Sequence, residues 1–165
     1  DKVPQAAEEI AAEAVSKFKK RFDTLPVRVS VPDELLMVPM DATLIEQVLI
    51  NLMENAVQHG KTTTKIELRL SSTGGFAVFE VADNGCGIEK ELLPHLFEGY
   101  LTRDHEEISD QRRNMGIGLS VCMSIVQAHG GTMRAKNRKK GGALLQFTLP
   151  LEEISHEYQR EGSSN

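Results

Sequence analysis

Two pairs of glycines lie near the two ends of residues 83–120, and this arrangement constrains the fold more than any other feature of the sequence. The first pair, Gly85 and Gly87, follows a run of residues that is typical of a buried strand. The second pair, Gly116 and Gly118, opens an apolar pattern with helical spacing. A carboxylate beside a glycine turn, followed by a glycine-rich helix entrance, suits a nucleotide, because its base and its phosphates need different surroundings.

The second glycine pair suits the phosphates. Gly116 and Gly118 lead into Leu119 and Val121, so we expect a helix to begin at Gly116. Glycine lets a backbone approach a ligand closely, and the unpaired N–H groups of a helix N-terminus favour an anion. On this pattern alone, a glycine-containing helix start without a ligand remains an equal alternative.

The first glycine pair suits the base. Residues 76–82 predict a buried strand that carries Asp83 to a turn at its end. An ionised aspartate only accepts hydrogen bonds, so it matches the exocyclic amine of adenine. Gly85 leaves room for a flat base, and Gly87 supports the turn. The alternative is a structural Asp-Asn-Gly turn that joins two elements.

The helix predicted after Asp41, its expected N-cap, carries a row of amides beside its apolar face. Spacings of four, four and three place on one narrow face Gln47, Asn51, Asn55 and Gln58. The carbonyl oxygens of Asn51 and Asn55 suit Mg²⁺, which needs few protein ligands when phosphates supply the rest. The alternative is a solvated polar stripe.

The remaining pattern predicts helices and strands of a mixed α/β domain. We expect helices over residues 8–22, 89–97 (split by Pro94) and 116–129, a strand over 27–31, a connector over 33–39, and hairpins over 65–82 and 132–149. Residues 98–114 lack periodicity and suit a lid over phosphates, with Arg103, Arg112 or Arg113 as reaching cations. This order predicts a two-layer α/β sandwich, with helices on one face of a mixed sheet.

Composition and charge exclude several classes. The 165 residues, 40% hydrophobic and 26% charged, suffice for one soluble domain with a core. A net charge of −5 and the absence of Trp argue against a nucleic-acid surface. No apolar run approaches a membrane span, and Cys86 and Cys122 lack metal-ligand spacing. The P-loop motif is excluded because Asn55 stands where it needs a glycine. The dinucleotide-binding motif is excluded because Val121 stands where its third glycine belongs.

Four segments, taken in order, resemble the N, G1, F and G2 boxes of sensor histidine kinases. They are Asn51-Leu-Met-Glu-Asn55-Ala, Asp83-Asn-Gly85-Cys-Gly87, Leu96-Phe97-Glu98 and Gly116-Ile-Gly118-Leu. The resemblance covers residues 38–151 and implies the family's Bergerat-type ATP-binding fold, a mixed sheet backed by helices. Residues 38–52 look most like the potassium-responsive Kdp-type sensor kinases.

The resemblance also implies roles for individual residues. Asp83 would bind the adenine amine of ATP, while Asn51 and Asn55 would be catalytic and would face Mg²⁺ and the phosphates. Phe97 would anchor the near end of the lid, and His59 would approach the ribose or the phosphates. The other implied nucleotide contacts are Gln58, Gly85, Gly87, Ile88, Tyr100, Arg103, Arg113, Gly116, Ile117, Gly118 and Leu119.

Two positions depart from the family's pattern. Gln58 stands where many members have Lys, so a phosphate charge contact is either missing or moved to the lid arginines. Tyr100 stands where a second Phe is common. A non-catalytic module that senses nucleotide through its lid therefore stays open as an alternative, as does a serine kinase of the anti-sigma type.

The implied function is transfer of the γ-phosphoryl group of ATP to a histidine. None of the five histidines has the family's acceptor context, so we expect the acceptor on an upstream dimerisation domain absent from this chain. A response regulator would be the next partner, the fragment would be a cytoplasmic monomer, and its parent could be anchored in the membrane. We divide the chain into an N-terminal helix or linker (1–24), the ATP-binding domain (25–151) and a flexible tail (152–165).

Overall fold

The computed structural model describes residues 2–98 and 110–152, and side chains throughout except in residues 110–117. Its helices are α1 (Ala7–Arg21), α2 (Ala42–Gly60) and α3 (Asp110–Ala128), with a single 3₁₀ turn over Leu93–His95 in the described ranges. The strands are β1 (Val3–Ala6), β2 (Val27–Ser30), β3 (Met37–Met40), β4 (Ile66–Thr73), β5 (Phe76–Asp83), β6 (Met133–Asn137) and β7 (Ala143–Pro150).

Five strands form a mixed sheet in the order β2-β4-β5-β7-β6. Strand β2 pairs with β4 in parallel, whereas the other neighbours are antiparallel. Both predicted hairpins, β4–β5 and β6–β7, are confirmed by this pairing. The central strand β5 therefore ends at Asp83 between two partners, which fixes where the carboxylate emerges.

The three helices cover one face of this sheet, as the two-layer prediction requires. Alternate residues of β4, β5 and β7 join the helices in a single apolar cluster, as strand periodicity dictates. At its centre Phe79 stacks on Phe147, with ring centroids 4.6 Å apart. The predicted helix after Asp41 is confirmed, because the Leu44 N–H donates to the Asp41 carboxylate at 3.1 Å.

The N-terminal segment packs on the same core. Helix α1 buries one face against α2, and Lys17 and Arg21 form ion pairs with Glu46 and Glu54 of that helix. Strand β1 pairs with β3, which overlaps the stretch over residues 33–39 that we expected to be a connector. That expectation was wrong, because the two short strands stabilise each other. The domain boundary near residue 25 stays a prediction.

Two helix predictions need correction. Residues 89–97 form only the 3₁₀ turn, because Pro94 lacks the N–H that a longer helix would use. Helix α3 begins at Asp110, six residues before Gly116, since Asp suits a helix start and Gln and Arg are good helix formers. The lid predicted over residues 98–114 lies mostly outside the described residues. Within the described ranges, no helix is long and apolar enough to cross a membrane.

Candidate functional site

A pocket opens where β5 ends, and its walls suit a flat base. Its lining residues are Asn55, Ala56, His59, Gly60, Asp83, Gly87, Ile88, Ala143 and Leu145. Most of this wall is apolar, with Asp83 as its carboxylate; that side chain is only 5% exposed. A concave, mainly apolar site with a few fixed polar groups is typical of small-molecule binding.

The orientation of the Asp83 carboxylate is set by backbone donors. Its Oδ1 accepts hydrogen bonds from the N–H groups of Gly85 at 2.8 Å and Ala143 at 3.3 Å. Its Oδ2 accepts no hydrogen bond from the part of the chain that the structure describes and is not fully buried, and Asp83 lines the pocket. One carboxylate oxygen is thus held by the protein, and the other is left for a ligand donor.

Glycines shape the turn after Asp83, although one of them does so for a reason other than the predicted one. A Cβ on Gly85 would lie 2.6 Å from the carbonyl oxygen of Gly60, so the missing side chain lets the turn pack on α2. The space beside Gly85 is therefore filled by the chain and not reserved for a base. Gly87 does line the pocket, and its φ of 81° requires glycine.

A second, more polar pocket adjoins the first along α2. Its lining residues are Asn51, Glu54, Asn55, Gln58, His59, Gly118 and Leu119. Asn55 and His59 line both pockets, so the two spaces share a wall. Three of the four amides predicted on α2, Asn51, Asn55 and Gln58, therefore border this pocket, and Gln47 does not line it.

Asn51 is held at both ends of its amide. Gln47 Nε2 donates to Asn51 Oδ1 at 2.8 Å, and Asn51 Nδ2 donates to Cys122 Sγ at 3.7 Å. Burial raises the pKa of the Cys122 thiol to about 11, so the sulfur stays neutral at physiological pH. A carbonyl oxygen has two lone pairs, which leaves Asn51 Oδ1 one further site for a cation.

Glu54 is a pocket residue that our sequence reasoning missed. It follows Asn51 by three residues on the same helical face and adds a carboxylate to the polar pocket, while Arg21 Nη1 holds its Oε2 at 2.7 Å. Amide and carboxylate oxygens are the hard ligands that Mg²⁺ prefers, so this donor set fits that ion. In the described ranges, no three histidine, cysteine or acidic side chains cluster as a metal site.

The C-terminal end of α2 lies between the two pockets. Burial, with a smaller contribution from Lys61, lowers the pKa of His59, which favours its neutral form. Lys61 has a φ of 57°, and the Thr62 N–H donates to the Gly60 carbonyl at 2.5 Å, which is the geometry of a strained γ-turn. The same carbonyl accepts the Cys86 N–H at 2.8 Å, so α2 and the turn after Asp83 are joined.

The glycines of the predicted phosphate end lie inside α3. Because α3 begins at Asp110, the N–H groups of Gly116 and Gly118 are beyond its unpaired first turn. The prediction that they open the helix was wrong for this structure. Gly118 nevertheless borders the polar pocket, with nothing within 4 Å of an added Cβ, and Leu119 is buried beside it. Their contacts to phosphate stay predictions.

Several predicted site residues lie at the edge of the described chain or beyond it. Phe97 is partly buried against the core, one residue before the described range ends. Tyr100 and Arg103 lie outside the described residues, and the side chains of Arg113 and Ile117 lie outside them as well. Their roles stay predictions.

The domain is thus a mixed sheet backed by helices, with an apolar pocket and an amide-lined pocket that share one wall. Residues 40–153 match the family described as histidine kinase-, DNA gyrase B-, and HSP90-like ATPase, and the chain belongs to this family.

Similar proteins place the chain near sensor kinases. Sensor protein KdpD of Clostridium acetobutylicum is 42% identical over 148 residues, covering 90% of this chain and 16% of the relative. Sensor protein KdpD of Escherichia coli is 33% identical over 143 residues, covering 87% and 16%. The catalytic domain of histidine kinase ThkA superposes with a TM-score of 0.74 at 26% identity, covering 91% of this chain and 95% of that one. The chain thus spans only 16% of the KdpD relatives that it matches.

Proposed function

We propose that this chain is the catalytic ATP-binding domain of a sensor histidine kinase of the Kdp type. It binds Mg-ATP and presents the γ-phosphoryl group to a histidine on a separate dimerisation domain. The observation that carries this proposal is the shared wall of Asn55 and His59 between the apolar pocket and the polar pocket. A purine triphosphate matches the order of the two pockets, because its apolar base is followed by its charged phosphates.

The base lies in the apolar pocket. Asp83 Oδ2 accepts a hydrogen bond from the exocyclic amine of adenine, while its Oδ1 stays on the backbone donors. Ala56, Ile88 and Leu145 contact the faces of the ring. Guanine carries a carbonyl oxygen where adenine has the amine, so the same carboxylate rejects it.

The phosphates lie in the polar pocket, beside Asn51 and Asn55. Mg²⁺ neutralises the charge that develops on the transferring group, and the amide oxygens would hold it together with phosphate oxygens and water. Gln58 borders this pocket without a positive charge, so the lid arginines supply that charge in our proposal. The resemblance to the family and the fit of the donor set support this assignment.

The site holds ATP for an external nucleophile. Asn51 is an amide and cannot remove a proton from water, so hydrolysis lacks a base at this position. In the transfer, a nitrogen of the acceptor imidazole bonds to the γ-phosphorus while the bond to the β,γ-bridging oxygen breaks, leaving ADP. The residues of the domain position these groups and take no covalent part.

The histidines of the described chain have other roles. His59 lines both pockets, and His95 pairs with Glu98 at 3.0 Å. His129, which follows α3, is buried and its Nε2 accepts the N–H of Asp41 at the start of α2. His105 and His156 lie outside the described residues. An acceptor on a separate domain is therefore the simplest arrangement.

The partners follow from the same proposal. A response regulator receives the phosphoryl group from the acceptor histidine, as the complex of histidine kinase ThkA with response regulator TrrA suggests by analogy. The potassium-related stimulus is proposed from similarity to two KdpD sensor proteins. The domain itself would work in the cytoplasm as a monomer, with its parent protein anchored in the membrane.

Transfer of radiolabel from [γ-³²P]ATP tests this function. The chain alone should incorporate little label, whereas added acceptor-hairpin fragment should become labelled in an acid-labile form typical of phosphohistidine. A hairpin with its histidine replaced by glutamine is the control and should stay unlabelled. Strong labelling of the chain alone would contradict the proposal, and acid-stable label on a partner serine would favour the serine-kinase alternative.

A further inference from the structure

The base-recognition turn, residues 83–88, is hydrogen-bonded to a part of the chain that lies outside the four sequence boxes. The β6–β7 hairpin extends past the pairing of β5 with β7. The last β5–β7 pair is Ala82 with Leu144, whereas β6 and β7 continue to the pair of Asn137 with Ala143. The end of this hairpin, with Asn137 and Arg138, therefore lies beside the turn.

Asn137 pairs with the backbone at the end of the turn. The Ile88 N–H donates to Asn137 Oδ1 at 2.7 Å, and Asn137 Nδ2 donates to the Ile88 carbonyl at 2.8 Å. One side-chain amide thus satisfies both backbone groups of a residue that has no strand partner. The two residues are 49 positions apart, so this contact belongs to the tertiary fold.

Arg138 holds the start of the same turn. Its Nη1 donates to the Asp83 carbonyl oxygen at 2.8 Å. The hairpin adds a third contact, because the Ala143 N–H donates to the Asp83 carboxylate at 3.3 Å. The first and last residues of the turn are therefore both fixed by the hairpin, which leaves the turn little freedom to re-aim the carboxylate.

The fit between hairpin and turn is close. A Cβ on Gly142, whose φ is 89°, would lie 2.0 Å from the Asp83 carbonyl oxygen. A Cβ on Gly87 would lie 2.8 Å from Asn137 Oδ1. Both glycines are needed for this approach, which means that the hairpin and the turn meet directly.

We propose that Asn137 and Arg138 are positioning residues that set the direction of the Asp83 carboxylate and thereby the preference of the site for adenine over guanine. Neither needs to touch the base, because each acts through the backbone of the turn. This inference rests on the proposed adenine role of Asp83. A purely structural role for the two residues would change the stability of the domain but leave the ratio of ATP to GTP affinity unaltered.

Affinities for ATP and GTP in matched variants test the proposal. Asn137→Ala and Arg138→Met should each lower the ratio of ATP to GTP affinity roughly fivefold, the effect of about one lost hydrogen bond. Lys139→Met removes the same charge from an exposed neighbour and should leave the ratio unchanged. Arg138→Lys, which can still donate to the Asp83 carbonyl, should retain most of the preference.

Amide hydrogen exchange gives a second readout that needs no nucleotide. The Ile88 amide should exchange slowly in the wild-type domain although it lies outside any strand, and Asn137→Ala should remove that protection. If Asn137→Ala and Arg138→Met keep the wild-type ratio while Asp83→Asn loses it, the positioning role is refuted. If Asp83→Asn also keeps the ratio, the adenine site itself is refuted.

Discussion

Replacing Asp83 by asparagine should reverse the hydrogen-bonding character of the base pocket with little change in shape. Oδ1 accepts from the Gly85 and Ala143 N–H groups, so the new carbonyl oxygen should occupy that position. The new NH₂ group must then take the place of Oδ2. It would point one donor at another donor, the exocyclic amine of adenine.

The magnitude follows from the bond that is lost. A hydrogen bond to a charged group contributes about 1.5–3 kcal/mol, so ATP affinity should fall between about tenfold and about hundredfold. Guanine presents an acceptor at that position, so GTP affinity should hold or rise. The preference for adenine should therefore disappear, while the fold persists because both backbone bonds remain.

Calorimetric titration of Asp83→Asn with Mg-ATP and Mg-GTP measures both affinities. Asp33→Asn, at an exposed position of the loop between β2 and β3, is the matched control and should behave as wild type. Unchanged ATP affinity in a folded Asp83→Asn domain would remove Asp83 from its assigned role. An equal loss for both nucleotides would instead indicate a general distortion of the turn.

Three further predictions concern the neighbourhood of the site. Lys61→Gly should raise the free energy of unfolding by about 1 kcal/mol, because glycine tolerates the positive φ at this position. A urea titration measures this, and an unchanged midpoint would contradict backbone strain at Lys61. His59 is harder to protonate when folded, so stability should fall as pH drops below its unfolded pKa of about 6.5. His59→Gln should flatten the slope of unfolding free energy between about pH 7 and pH 5, and an unaltered slope would refute this. In the folded domain a thiol reagent should label exposed Cys86 and spare buried Cys122, whose pKa is raised to about 11; equal labelling rates would contradict the burial.

Local pattern was sufficient for the elements that carry the site. The amide spacing on α2, the strand that ends at Asp83, and the glycine turn after it are all short-range features. Because β5 is central and α2 packs across it, these features predict that the carboxylate and the amides converge, and the two adjoining pockets agree with that prediction. The order of the four boxes made it possible to predict the bound nucleotide and the protein family as well.

The features that sequence reasoning missed depend on distant partners. Strands β1 and β3 are four residues each and are stabilised by pairing with each other, so neither has a strong signal alone. The hydrogen bonds of Asn137 and Arg138 span 49 and 55 residues and fall in a hairpin that looked like an ordinary basic turn. Gly141 and Gly142 were the available signal, because two consecutive glycines indicate a close approach of backbone.

Helix α3 shows a different limit of local pattern. Two glycines close together favour a helix start, yet the preceding Asp-Gln-Arg-Arg sequence extends the helix back to Asp110. Glycine inside a helix costs stability, so Gly116 and Gly118 are unfavourable at the interior positions that they occupy in α3. The local preferences on the two sides of Gly116 conflict, so the start of this helix depends on more than local pattern.

Intermolecular NOEs between unlabelled ADP and the methyl-labelled domain test the central claim most directly, because they report which residues touch the base. The adenine H2 and H8 protons should show NOEs to the methyl groups of Ala56, Ile88 and Leu145, which line the apolar pocket. NOEs to methyl groups of the distant edge strand β2, such as those of Val29, or saturable binding with no NOE to the pocket, would contradict the account.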